Sequence, residues 1–253
     1  MLSKKIIQHI NKLDQKKVRH EEREFLIEGV KGVEEALNSD MQVLLLVVEG
    51  NKRDEDDLAK LINLAESQDV PVEFCGRNDV GDIKTTDSFP GVLAIVEQQE
   101  IELQDLEGSI ICLDGIKDPG NLGTIIRTAD WFGIKSILLS EDCVDPYNPK
   151  VVRSTMGSIF HVDIFESEKI VGDLESLQKK GYKLSGLVMD GEDLSKIEIK
   201  DKNKEVFILG SESHGIRDEV EKLLDKKYTI SGQGSAESLN VAVAAGILIS
   251  KIK

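Results

Sequence analysis

The sequence predicts an α/β chain in two domains. Three observations carry this. From Ser109 to the end, short aliphatic runs alternate with stretches of helical spacing, the pattern of a mostly parallel sheet covered on both faces. The stretch 97–107 is polar and acidic with no apolar period, which reads as a linker between residues 1–96 and residues 108–253. At 253 residues the chain is long for one domain and sufficient for two, each able to bury a core.

In the first part, Phe25-Leu-Ile-Glu-Gly leads into a helical stretch from Val30 to Leu37. A strand is expected at Val43–Val48. A helix is expected from Asp54 to Glu66, through Leu58, Leu61, Ile62 and Ala65. Further strands are expected at Pro71–Phe74 and Gly91–Val96. In the second part the expected strands are Ile110–Leu113, Ser136–Leu139, Phe160–Phe165, Leu184–Met189, Val206–Leu209 and Tyr228–Ile230. Helices are expected at Asn121–Phe132, at Glu168–Lys180 with Gly181 as its stop, and at Ser238–Ile252. Ligands in such sheets bind beyond the carboxyl ends of the strands. Three glycine-bearing turns are expected there: 114–121, 210–215 and 232–238.

Composition narrows the class. Hydrophobic content of 40% and charged content of 31% are those of an ordinary soluble protein. The longest apolar run, Val241–Ile249, is about half of what a bilayer span needs. Lys4 and Lys5 are not followed by an apolar signal core, so the cytoplasm is the expected compartment and no membrane contact is expected. The three cysteines and four histidines are scattered, which suggests neither a disulfide framework nor a metal site. A net charge of −15 argues against a nucleic-acid partner on average, but local distribution decides binding. Lys4, Lys5, Lys12, Lys16, Lys17 and Arg19 face only Asp14 within the first 20 residues. Such a cluster could meet phosphates, or could be the solvated end of a helix.

Three segments could carry chemistry. In the first, Leu122, Ile125, Ile126, Ala129 and Phe132 form one apolar helix face, while Asn121, Thr124 and Arg127 lie three apart on another. Taken alone, Asn121 sits where an N-cap belongs and Arg127 reads as a solvated arginine. In the second, a buried strand ends at Gly210 and delivers Glu212 into a turn; the carboxylate could orient a ligand or sit at the next helix's positive end. His214 in that turn reads as a turn residue. In the third, Ser238 can cap the last helix, with Asn240 in its first turn. That helix is apolar almost all round, which suggests subunit packing as well as core. No GxxxxGK[ST] loop occurs, and Gly232-Gln-Gly lacks the third glycine of a dinucleotide fingerprint, which disfavours a nucleotide-dependent dehydrogenase.

Together and in this order, the segments resemble the three signature motifs of the SpoU/TrmH family of RNA ribose methyltransferases. Asn121–Ala129 matches N-x-x-x-x-x-R-x-A, Leu209–Gly215 matches the G-x-E-x-x-G motif, and Glu237–Val241 contains S-L-N-V. Arg153-Ser-Thr-Met-Gly-Ser is similar to a stretch the family carries between the first two motifs. Residues 21–96 resemble the family's ribosomal-protein-like substrate-binding domain, through Phe25-Leu-Ile-Glu-Gly-Val and Gly91-Val-Leu-Ala-Ile-Val. One departure is Ser231, where many members carry proline.

The resemblance implies a C-terminal α/β knot, a deep trefoil, behind a smaller N-terminal RNA-binding domain. It implies a homodimer, and S-adenosylmethionine as cofactor held by Gly210, Ile230 and Leu239. The implied reaction is methyl transfer to a ribose 2′-hydroxyl of RNA. The separate N-terminal domain leans toward ribosomal RNA, with transfer RNA, or a non-catalytic RNA-binding module on the same fold, as the alternatives. Arg127, Asn121, Glu212, Ser238 and Asn240 are the implied catalytic group. An arginine pKa above about 12 makes Arg127 a grip for phosphate and a developing alkoxide rather than a base, the role in which the family often casts it. Lys4, Lys5, Lys12, Lys16, Lys17, Arg19 and Arg153 are the expected RNA contacts.

Overall fold

Each strand expected from an aliphatic run is present in the computed structural model, which describes residues 2–83, 89–197, 204–235 and 237–252. Two compact units emerge, Met1–Glu100 with Tyr147–Phe160, and Ile101–Pro146 with His161–Lys253.

The first unit opens with helices α1 (Lys4–Lys12) and α2 (Lys16–Glu22). Strand β1 (Glu24–Glu28), helix α3 (Val30–Asn38), strand β2 (Val43–Glu49) and helix α4 (Asp56–Ser67) follow. Strand β3 (Val72–Cys75), helix α5 (Arg77–Asp82) and strand β4 (Val92–Glu97) complete the N-terminal run. The sheet order is β1-β4-β2-β3, antiparallel except for β2 beside β3. The lysine-rich start is therefore not a loose tail. Ser3 caps α1, its Oγ accepting from the Ile6 amide at 3.2 Å, and Leu2, Ile10 and Leu13 are buried in the unit's core.

The second unit begins with β5 (Ile110–Asp114), α6 (Pro119–Trp131) and β6 (Ser136–Leu139). The chain then supplies α7 (Pro149–Thr155) to the first unit, where Tyr147 stacks at 4.8 Å on Phe25 of β1. It returns as β7 (Asp163–Glu166), α8 (Ile170–Lys179), β8 (Lys183–Asp193), β9 (Glu205–Gly210), α9 (Asp218–Glu221), β10 (Lys226–Thr229) and α10 (Val241–Ile252). The strand expected at 160–165 is shorter, because Ser158–Phe160 close a 3-10 turn first. The expected linker is shared: the Gln98 amide donates to Arg23 O at 2.7 Å, while Leu106 is buried in the second unit's core.

All six strands of this unit are parallel, in the order β10-β8-β9-β5-β6-β7. Ile110, Cys112, Leu184, Val206 and Ile208 pack on Ile170, Leu174 and Leu177 of α8. Their alternates Ile111, Leu113, Phe207 and Leu209 are equally buried and face the opposite layer, where α10 packs on α6 and β9. The ladder of β8 and β10 breaks once, with Lys227 opposite Gly186 but Tyr228 opposite Glu192. The residues between have no ladder partner on β10, and Gly191 lies against the Tyr228 backbone, where a Cβ would fall 2.5 Å from a carbonyl carbon. Cys75, Cys112 and Cys143 are free thiols. Among the described residues no helix is long and apolar enough to cross a membrane.

Candidate active site

The site forms where β8, β9 and β10 end. At Gly210 the chain must turn so tightly that a Cβ would fall 1.9 Å from the carbonyl carbon of Gly215. Ser211 and Gly215 then exchange two backbone hydrogen bonds, of 3.1 and 2.9 Å, with Gly215 at φ +67°. Glu212 rides on this closed turn.

Three polar side chains from distant segments are joined there. Asn240 is the residue before α10, and its Oδ1 accepts from the Ala242 amide at 2.9 Å and the Val243 amide at 3.4 Å. Its Nδ2 is therefore the end left to donate to Asn121 Oδ1, at 2.9 Å. Asn121 must then present its own Nδ2 to Glu212 Oε1, at 2.5 Å. A capping bond thus fixes both amide orientations, and the Glu212 oxygen that receives the chain is set by it.

Two capping assignments are corrected. Asp118, not Asn121, caps α6, its Oδ1 accepting from the Asn121 amide at 2.8 Å; Pro119 at the first helical position starts the helix two residues early. Asn240, not Ser238, caps α10, so this helix begins at Val241. Asn121 thus lies in the first turn of α6 and Asn240 just before α10, and both side chains join the polar cluster.

A cavity of about 590 Å³ opens beside the cluster. Gly210, Ile230 and Leu239 line it, and so do Glu212 and Ser238. Its apolar wall includes Leu187, Val188 and Met189 of β8, which follow the point where the pairing with β10 shifts register. Ser231 also lines it; its hydroxyl bonds the Asp193 carboxylate, and Thr229 Oγ1 donates to Met189 O at 3.2 Å. Hydrogen bonds from Ser195 and then Ser231 hold the Asp193 pKa down at about 2. Ala236 of the third segment lies outside the described residues.

Arg127 is placed differently. Six residues beyond Asn121 on α6, it points about 120° around the helix from it. It is exposed, takes no hydrogen bond or ion pair among the described residues, and does not line this cavity. His214 is exposed; its Nδ1 shares a hydrogen bond with Ser213 Oγ at 2.8 Å, and its amide donates to Ser211 Oγ at 3.3 Å.

Of the expected RNA contacts, Lys4, Lys5, Lys12, Lys16 and Lys17 are exposed on α1 and α2, and Arg153 is exposed on α7. Arg19 is corrected. It is 1% exposed, and its Nη1 donates to Leu13 O and Asp14 O, both at 2.8 Å, so it braces the junction of α1 and α2 and cannot reach a phosphate.

Sequence reasoning also missed Arg217. Its backbone amide donates to Asp114 Oδ2 at 2.8 Å and its Nε to Asp114 Oδ1 at 2.7 Å. Nη1 reaches Glu141 at 2.5 Å and Nη2 reaches Asp142 at 3.2 Å. Burial opposes the charge, yet the bonds and charges of Asp114 and Glu141 raise its pKa. The available signal was an acidic residue, Asp114, closing a wholly buried strand.

The chain is similar to known proteins in sequence and in fold. Residues 108–250 match the SpoU rRNA Methylase family, and residues 4–94 match the MRM3-like substrate binding domain. A relative from Bacillus subtilis (strain 168), the 23S rRNA (guanosine(2553)-2′-O)-methyltransferase RlmP, is 30% identical over 242 residues, covering 96% of this chain and 93% of its own. The 23S rRNA (guanosine-2′-O-)-methyltransferase RlmB of Coxiella burnetii is 26% identical, covering 90% and 94%. Among solved structures, the AdoMet-bound rRNA methyltransferase from Sinorhizobium meliloti superposes with a TM-score of 0.87 at 30% identity, over 100% of this chain and 95% of that one. The chain belongs to the SpoU rRNA methylase family.

Proposed function

We propose that the chain transfers the methyl group of S-adenosylmethionine to a ribose 2′-hydroxyl of ribosomal RNA. The observation that carries this is the cavity at the strand ends with Glu212 on its wall, bonded through Asn121 to Asn240. The residues present fit such a cofactor. The volume lies within the roughly 300–1,000 Å³ of small-molecule sites. Leu187, Leu209, Ile230 and Leu239 offer an apolar slot, and Glu212 and Glu237 supply negative charge for a cationic ligand. Gly232 and Gly234 border open space, where a side chain would intrude. When bound, S-adenosylmethionine supplies a methyl group on a sulfonium, already a good leaving centre.

The chain's own residues then have two tasks, to position the ribose and to deal with the hydroxyl proton. An arginine side chain offers donors and no acceptor, so Arg127 grips the adjacent phosphate and stabilises the developing alkoxide. Glu212 is the one carboxylate in the group, and its Oε2 makes no bond among the described residues, so it is the atom the cluster offers for the proton. Asn121 and Asn240 hold Glu212 in place, and Ser238 on the cavity wall orients the ribose.

Exposed lysines on α1 and α2, with Arg153, serve as the phosphate contacts of a substrate-binding domain. A homodimer through α6 and α10 is part of this reading, supported by Trp131 at 81% and Val243 at 52% exposure on two helices that pack together. So are the knotted threading of the last segments and residence in the cytoplasm. Mapping 2′-O-methyl groups in ribosomal RNA from cells with and without the gene tests the function. Loss of a modified ribose in the deleted strain is expected; an unchanged map contradicts it.

A further inference from the structure

Two loops must be held in register for Asn121 to meet Glu212, and they spring from neighbouring positions. Asp114 ends β5 and Gly210 ends β9, and the two are ladder partners. After Asp114 the chain turns at Gly115, φ +73°, and starts α6, which carries Asn121. After Gly210 it makes the closed turn carrying Glu212 and reaches Arg217. The ladder ends at Asp114 and Gly210, so beyond it the second loop needs another tether. The Arg217 fork on the 3%-exposed Asp114 is such a tether, and Glu141 and Asp142 occupy the rest of the guanidinium. One bond from the backbone amide and one from Nε, each to a different oxygen of one carboxylate, fix direction as well as distance.

We infer that Arg217 is a positioning residue for methyl transfer, tying the Glu212 turn to the end of β5 so that Glu212 meets Asn121 beside the cavity. This rests on the proposed function. Arg217 touches neither substrate nor cofactor in this account. It acts through Glu212, so its effect must vanish when Glu212 is disabled.

The test is steady-state methyl transfer from S-adenosylmethionine to unmodified ribosomal RNA by the full chain. The variants are Arg217→Lys, Glu212→Gln and the two combined. Lysine keeps the charge and the backbone bond to Asp114 but loses the Nε bond and the two Nη bonds. Arg217→Lys is expected to lower kcat by about tenfold to a hundredfold, with KM for S-adenosylmethionine within about threefold of wild type. The double variant is expected to be no slower than Glu212→Gln alone. A kcat near wild type in Arg217→Lys, or losses that multiply in the double variant, overturns the inference. Should Arg217→Lys melt below assay temperature, Asp114→Asn takes its place; it keeps the shape of the acceptor and weakens the fork, and the same non-additivity is expected. A wild-type protein that transfers nothing overturns the proposed function itself. An active wild type with an indifferent Arg217 overturns only the positioning role.

Discussion

Arg19 on α2 and Arg127 on α6 carry the same guanidinium into opposite circumstances. Arg19 is 1% exposed and donates to the carbonyls of Leu13 and Asp14, so its hydrogen-bonding capacity is used inside its own unit. Arg127 is exposed and donates to nothing among the described residues. A basic residue in a basic cluster looked like an RNA contact, and a basic residue on a helix face looked like solvent decoration. Geometry overturns the first reading and leaves the second as it was, with Arg127 exposed and unbonded among the described residues. The useful distinction is whether the donors are already occupied, and a sequence does not state that.

This contrast can be broken in order of expected effect. Arg127→Ala is expected to lower methyl transfer by about a hundredfold to a thousandfold, since it removes a donor aimed at developing charge. Cofactor affinity by calorimetry should be nearly unchanged, because Arg127 does not line the cavity. Near wild-type turnover would remove Arg127 from the site. On the same helix, Trp131→Ala is expected to weaken self-association by roughly thirtyfold, the loss of one interface anchor. Sedimentation of wild type should return about twice the 28.0 kDa chain; a monomer at micromolar concentration would contradict the dimer.

Arg19→Ala is expected to cost about 1–3 kcal/mol of stability by leaving carbonyls without donors, read as a lower urea midpoint. RNA affinity measured well below that midpoint should stay unchanged. If affinity falls with no loss of stability, Arg19 is a contact after all. Smallest is Arg153→Ala, or serine at one of Lys4, Lys5, Lys12, Lys16 or Lys17. Each is expected to flatten the salt dependence of RNA binding by about 0.7–0.9 of a unit of slope. Substitution is the sound design here, because deleting residues 1–20 would also remove Leu2, Ile10 and Leu13 from the core. Unaltered slopes across these substitutions would move the RNA contact elsewhere.

Strands β2, β4, β5, β6 and β9 were legible because each is a run of mostly apolar, mostly buried residues. Ser238–Ile252 was legible as a helix but not its start, because Ser238 and Asn240 are equally good caps and only the Asn240 contact with Asn121 selects between them. Asp118-Pro119 did signal the start of α6 and was passed over. The break in β8 that builds the cavity wall was not legible, because it depends on where β10 pairs. The segment 147–160 packs with the first unit, although it lies inside the second domain along the sequence. Contacts decide such membership, and order along the chain does not. In the site, motif order brought Asn121, Glu212 and Asn240 to notice, while Arg217 belongs to no pattern and shows itself only through the four bonds it makes.

The most direct measurement uses purified protein, S-adenosylmethionine labelled on the methyl group, and ribosomal RNA from cells lacking the gene. A 2′-O-methyl group blocks alkaline cleavage at its own phosphodiester. The account predicts that label enters the RNA and survives alkaline hydrolysis in a dinucleotide, with wild type but not with Arg127→Ala. Label released in single nucleotides, or no label at all, would contradict it.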